Sequence, residues 1–274
     1  MRHFSATPRE MVASLFRNRE LIANLIKREI LGRYRGSILG LFWAFFQPVF
    51  MLAIYTFVFS VVFKARWNSV GGSDSKTEFA LVLFAGLIVF NLFSECIGRS
   101  PALILSHANY VKKVVFPLEI LPWVTLGAAF FQMLMSLSVW LLFYILLFGV
   151  PHLTFLLLPL VILPVILITM GLSWIIASLG VYLRDMGQLI GLIIMVFMFL
   201  SPIFYPITSL PLEYQSILRF NPLTPVIEAM RDILYWGHIP QLESYVLYII
   251  CSLLFAYLGF AWFQKTRRGF ADVL

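Results

Sequence analysis

Charge is scarce in this chain. Of 274 residues only 12% are Asp, Glu, Lys or Arg, and 61% are apolar before glycine is counted, whereas soluble domains carry about 25% charge. A water-soluble fold is excluded. Cysteine is nearly missing as well: Cys96 and Cys251 each sit inside an apolar block, so neither a disulfide framework nor a CxxC metal site is expected, and both read as packing residues. The four histidines, His3, His107, His152 and His238, are far apart and lack HExxH spacing, so no metal site is expected on this chain. No GxxxxGK[ST] loop occurs, which excludes P-loop nucleotide binding and assigns any use of ATP to another subunit. The first 37 residues are charged and precede every long apolar run, unlike a secretory signal, so the N-terminus is expected to be retained.

What is present is apolar sequence in blocks long enough to cross a hydrocarbon layer, which needs about 20 residues of helix. Six blocks stand out, at 38–63, 79–100, 117–148, 153–183, 186–203 and 244–264. The chain therefore reads as an all-α integral membrane protein with six transmembrane helices. It divides into a cytoplasmic amphipathic interface helix (1–37), a six-helix membrane domain (38–264) and a cytoplasmic tail (265–274). An even number of crossings puts both termini on one side. With cytoplasmic ends, fifteen of the 20 Lys and Arg fall inside and five outside, as the positive-inside rule favours. That distribution accounts for the net charge of +7 without a nucleic-acid partner.

Thr7-Pro8-Arg9-Glu10 has the form of a capping box with proline at the first helical position, so a helix is predicted from Pro8. Met11, Val12, Leu15, Ile22, Leu25, Ile26 and Ile30 follow at helical spacing, with Arg17, Arg19, Lys27 and Arg28 on the cationic side. The pattern fits a helix lying on the anionic inner leaflet, or one packed on a soluble partner. Gly32, Gly36 and Gly40 either make a close-packing face on a continuing helix or break the helix before the first span. Gly187 and Gly191 repeat the spacing.

Residues 202–243 are too polar to span and too apolar for an ordinary loop. They contain Pro202, Pro206, Pro211, Pro222, Pro225 and Pro240 among aromatics including Tyr205. Thr224-Pro225 marks a helix start, and 226–236 reads as a short amphipathic helix bearing Glu228, Arg231 and Asp232. Such a segment is expected to enter the membrane from outside and return, which is tolerated only beside protein or a water-filled cavity.

Among the acids, Glu95 and Glu119 are expected to pair with Arg99 or Lys113, and Arg184-Asp185 to neutralise itself locally. In the first span Phe42, Phe46, Phe50 and Phe57 share a stripe beside Gln47 and Pro48, and either meet sugar rings or pack against lipid and neighbouring helices. The loop 106–117 is short and basic with exposed aromatics at Tyr110 and Phe116, and reads as a docking surface for a soluble partner.

Four stretches together resemble ABC-2 type permeases of the polysaccharide-export class, which move O-antigen, capsule or teichoic acid. They are Lys27-Arg28-Glu29-Ile30 with Arg33-Tyr34-Arg35-Gly36-Ser37-Ile38-Leu39-Gly40, Trp43 and Gln47-Pro48; Val111-Lys112-Lys113 through Phe116-Pro117-Leu118-Glu119 to Pro122; Arg184-Asp185; and Asn221-Pro222-Leu223-Thr224-Pro225 through Arg231. The resemblance implies a homodimer in the bacterial inner membrane bound to two copies of an ABC ATPase subunit, which holds ATP and Mg. Lipid-linked polysaccharide would leave through a channel between the permeases. It also implies that Asn109, Tyr110, Val111, Lys112, Lys113 and Phe116 form the coupling helix, with Arg33, Tyr34 and Arg35 close by. Phe42, Phe46, Phe50 and Phe57 would line the channel, and Pro202, Tyr205, Pro222, Pro225 and Arg231 would belong to re-entrant helices closing the outer side. No residue is expected to be catalytic. The rival classes are a membrane glycosyltransferase or polymerase acting on lipid-linked sugar and a passive channel; the outer segments offer Asp74, Glu78, Glu213, Glu228, Asp232 and Glu243 but no DxD pair.

Overall fold

A computed structural model describes residues 6–62, 76–112 and 116–273, and these are helical with no strand among them. The first helix, α1 (Pro8–Arg17), begins where the capping sequence places it, with Thr7 Oγ1 accepting from the Glu10 amide at 3.3 Å. The Glu10 carboxylate meets Arg17 at 2.6 Å. The helix breaks at Asn18, whose side-chain amide donates to the Ser14 carbonyl at 2.8 Å, and α2 (Arg19–Arg33) follows. Met11, Ser14, Ile22 and Leu25 are buried, the last two against Ile120 and Val124. Part of the apolar face of this segment is thus covered by its own chain, while Val12 stays exposed. Gly36 and Gly40 have φ of +82° and +51°, so the glycines break the helix before the first span.

Among the described residues five stretches are long and apolar enough to cross a membrane: Gly40–Phe59, Thr77–Ala102, Leu118–Phe148, Leu153–Tyr182 and Leu242–Val273. The first contains α3 (Trp43–Tyr55), which continues into a wider π-helical turn at Thr56–Val62. The second contains α4 (Lys76–Arg99). After the short α5 (Ala108–Lys112) come α6 (Leu121–Phe148) and α7 (Leu158–Tyr182). The next helix, α8 (Met186–Leu200), is apolar but has 15 residues, about 22 Å at 1.5 Å per residue, short of a hydrocarbon core of about 30 Å. It ends at Ser201-Pro202, the latter lacking an amide proton to continue it.

The helices are arranged around α4. In its most apolar window 83% of Thr77–Ala102 is buried, against 17% of Gly40–Phe59, so α4 is the axis and α3 lies at the edge. Trp140 and Trp174 fill the interior and satisfy their indole N–H groups on the carbonyls of Leu81 (2.9 Å) and Glu119 (3.1 Å). The partner of α7 is α11 (Leu242–Thr266), and they cross where Gly171 meets Gly259; a Cβ on Gly259 would overlap the Gly171 backbone. Cys96 is buried as expected, but Cys251 faces outward on α11 and is not a packing residue of this chain.

Between α8 and α11 lie α9 (Leu212–Phe220) and α10 (Thr224–Arg231), the latter running into a π turn at Asp232–Trp236. Thr224 opens α10 without capping it: its hydroxyl donates back to the Leu218 carbonyl at 2.7 Å, while Asn221 Oδ1 accepts from the Leu223 amide at 2.9 Å. Val226, Ile227, Met230 and Ile233 are completely buried, so α10 is an interior element packed on α4 and α7. The tail is also structured. Its helix α12 (Phe270–Val273) buries Phe270 completely against Phe263 and Tyr182.

Candidate functional site

Two groups of paired charges lie where α2, the C-terminal end of α4, the start of α6 and the end of α11 meet. Arg33 pairs with Glu95, and Arg99 pairs with Glu29 while standing 3.8 Å from Glu95. Partial burial opposes charge on Arg33, but the hydrogen bond and charge of Glu95 outweigh it and hold the guanidinium above its ordinary range. Glu95 therefore reaches Arg99 as expected, and also Arg33, which lies 62 residues away in sequence.

Glu119 has a different partner from the expected one. Its carboxylate pairs with Arg267 from the tail, and both side chains are at least 90% buried. The same carboxylate accepts from Ser14 Oγ at 3.1 Å, and the second guanidinium nitrogen of Arg267 donates to the Phe116 carbonyl at 2.6 Å. One buried pair thus joins α1, the segment before α6, and the tail. Lys113, the alternative partner, lies outside the described residues, as do Asp74, His3 and the side chains of Val111 and Lys112.

The expected docking loop is bound into this junction. Asn109 is exposed, but Tyr110 and Phe116 are half-buried and stacked on each other with centroids 4.4 Å apart, so neither is the fully exposed aromatic that the sequence predicts. Arg28 of α2 donates to the Tyr110 hydroxyl at 3.2 Å, and α12 packs on α5. Arg35 is exposed, whereas the Tyr34 hydroxyl donates to Gln132 Oε1 at 3.1 Å. Gln132 then uses its amide to reach the Ala44 carbonyl at 3.2 Å. Pro48 has no N–H for that carbonyl, so Gln132 supplies the missing donor. A proline in mid-helix and a lone amide in an apolar span were the sequence signals for this contact.

Phe42 just before α3, Phe50 on it and Phe57 in the π turn after it are exposed, and Phe46 is half-buried, contacting Phe42 and Phe50 at centroid distances of 5.3 and 6.0 Å. The stripe is real as geometry and faces outward from the chain. Gly187 and Gly191 on α8 also meet open space. Arg184 and Asp185 are exposed, with no ion pair between them among the described residues, so the predicted local neutralisation does not occur.

The opposite end is organised by Arg231, 2% exposed, which donates through Nε to the Val82 carbonyl at 3.1 Å and through Nη2 to the Ile203 carbonyl at 2.8 Å. Pro202 is buried beside it. The Tyr205 hydroxyl donates to the Phe199 carbonyl at 2.8 Å, the Pro222 carbonyl accepts from Tyr248, and Pro225 opens α10. The structure therefore brings these five expected residues into one end region. Among the described residues no group of three or more His, Cys, Asp or Glu is positioned to hold a metal.

Residues 20–235 match the family profile described as "ABC-2 type transporter". Two proteins of Klebsiella pneumoniae, each named O-antigen export system permease protein RfbA, are 24% identical to the chain; both alignments cover 93% of it and 95% of the relative. A Myxococcus xanthus protein of the same name is 31% identical over 112 residues, 41% of this chain and 40% of that protein.

Proposed function

The chain belongs to the ABC-2 type transporter family, and from that premise we propose that it is the permease subunit of an ATP-driven exporter of lipid-linked polysaccharide. O-antigen is the favoured cargo over capsule or teichoic acid, because the end-to-end Klebsiella relatives carry that activity in their names. That alignment is the observation on which the reading rests. In this reading the chain crosses the bacterial inner membrane six times with both termini in the cytoplasm, α8 completing its short crossing with residues 201–206. Two copies assemble, with the exposed faces of α3 and α8 towards each other. Phe42, Phe46, Phe50 and Phe57 line the path, where aromatic faces suit sugar C–H groups.

ATP and Mg belong to a separate ATPase subunit, present twice. It bears on residues 109–116, with Arg33, Tyr34 and Arg35 at the margin. The buried Glu119–Arg267 pair supports this assignment physically: a push on 109–116 is carried to the start of α6, to α1 and to the end of α11 through contacts already made. At the far end Pro202, Tyr205, Pro222, Pro225 and Arg231 hold a re-entrant pair that closes the outer side.

Deleting the chain is expected to remove polysaccharide from the cell surface and leave it inside on its lipid carrier, with export restored by the intact chain. A deletion strain with normal surface polysaccharide refutes the assignment. Purification from the native host should recover an ATPase subunit, and Lys112→Glu with Lys113→Glu should abolish that recovery.

A further inference from the structure

A cavity of about 370 Å³ lies between α3, α4 and α6, within the size range of small-molecule sites. Its wall carries Gln47, Asn91, Ser94, Gln132 and Ser136, with Tyr55 as an aromatic surface. Gln47, Asn91, Gln132 and Ser136 all fall well inside the apolar spans of their helices, where an amide facing lipid is costly. Yet Gln47 and Asn91 are exposed, and neither side-chain amide has a hydrogen-bond partner among the described residues. Gln132, in contrast, is already engaged at both ends of its amide. Two open amides at mid-span mark a surface that meets water or a hydrogen-bonding ligand.

The charge of the cavity selects between ligands. Its charged lining residues are Arg33 and Glu95, and these neutralise each other at the mouth. A phosphate group would find no uncommitted cation there, whereas vicinal hydroxyls can donate to and accept from amides and hydroxyls of neutral walls. We propose that this crevice is a wet sugar-binding wall of the transport path, in which Gln47, Asn91 and Ser136 hydrogen-bond the hydroxyls of the moving polysaccharide. The proposal rests on the exporter reading above. It adds a polar contact surface on the face of α3 turned towards α4 and α6, distinct from the outward phenylalanine stripe.

The test uses native membranes holding the full complex in a Cys251→Ser background, with Gln47→Cys, Asn91→Cys and, as a lipid-face control on α11, Leu254→Cys. A charged, membrane-impermeant methanethiosulfonate should modify the first two and not the third. Polysaccharide fragments released from the host surface by mild acid should slow modification at Asn91→Cys at least fivefold, and inorganic pyrophosphate should not. No modification of either crevice cysteine shows a dry crevice and overturns the proposal. Modification that neither probe slows, or that pyrophosphate alone slows, overturns sugar binding. Recovery of the complex checks folding of each variant, and Asn91→Ser, which supplies a hydroxyl in place of the amide, should export better than Asn91→Leu. The exporter reading fails separately, through a deletion strain that still displays polysaccharide.

Discussion

The two ends of the described molecule are held by different chemistry. At the charged end the main ties are between charged side chains, with Arg33, Glu95, Arg99 and Glu29 as one group and Glu119 with Arg267 as a second, while Arg267 and Trp174 add bonds to the Phe116 and Glu119 carbonyls. At the other end, side chains reach into main-chain carbonyls, as Arg231 does to Val82 and Ile203, Trp140 to Leu81, Thr154 to Ile233 and Tyr248 to Pro222. The Leu81, Val82 and Ile233 carbonyls lie in packed helices and cannot turn to a new donor, so those bonds fix one arrangement. Carboxylates and guanidinium groups on flexible stems can exchange partners, and Arg99 already stands between two. One end is suited to stay still while the other is suited to move.

The sharpest break in that comparison is Arg231→Ala. It empties a buried volume and leaves two interior carbonyls without their donor, a cost on the order of 3 kcal/mol or more. The protein should fail to accumulate or should lose most of its thermal stability in detergent. Arg231→Lys should rescue little, because an ammonium lacks the planar fork that spans Val82 and Ile203. Ordinary stability with Arg231→Ala would show that this end does not depend on the anchor.

Of comparable effect is Arg267→Gln. It strands the Glu119 carboxylate in a site where both side chains are at least 90% buried, and removing one partner of such a pair costs about 3–5 kcal/mol. Glu119→Gln combined with Arg267→Gln should recover much of the loss, since two neutral amides can share the site. If the double variant restores stability but not export, the pair transmits motion; if it restores both, the pair serves folding alone. Export and thermal midpoint measured on the parent, the single variant and the double variant separate the two.

The apolar blocks made the spans legible, because burying helix backbone in lipid demands uninterrupted apolar sequence, and the Thr7-Pro8 start was legible because capping is local. Contacts across long sequence separation were not. Nothing near Glu119 points to a residue 148 positions on, so Lys113, the nearest cation, was the natural expectation. The burial of α10 was hidden for a related reason: Glu228, Arg231 and Asp232 give it a polar aspect, and only the tertiary structure shows a guanidinium turned inward onto two carbonyls. The mid-helix proline and the lone amide were each visible in the sequence, but only the tertiary structure joins Gln132 to the carbonyl that Pro48 leaves free. The docking loop and the phenylalanine stripe were legible in the residues, their coupling and channel roles came from resemblance, and the fold adds what holds them.

A smaller effect tests whether the charged end is joined to α3 by more than packing. Gln132→Leu removes the donor to Ala44 and the acceptor for Tyr34, and should cost about 1–2 kcal/mol. Pro48→Ala, made alone, restores an amide N–H that can reach the Ala44 carbonyl and straightens the helix. In the Gln132→Leu background that new N–H replaces the lost donor, so the double variant should be more stable than the sum of the single effects predicts. The Tyr34 contact is not replaced, however, and a deficit of export should persist where stability recovers. Fully additive effects in thermal unfolding would mean that Gln132 does not serve the proline-freed carbonyl. In that case α3 is positioned by its apolar contacts alone, and the movable end stops at α2.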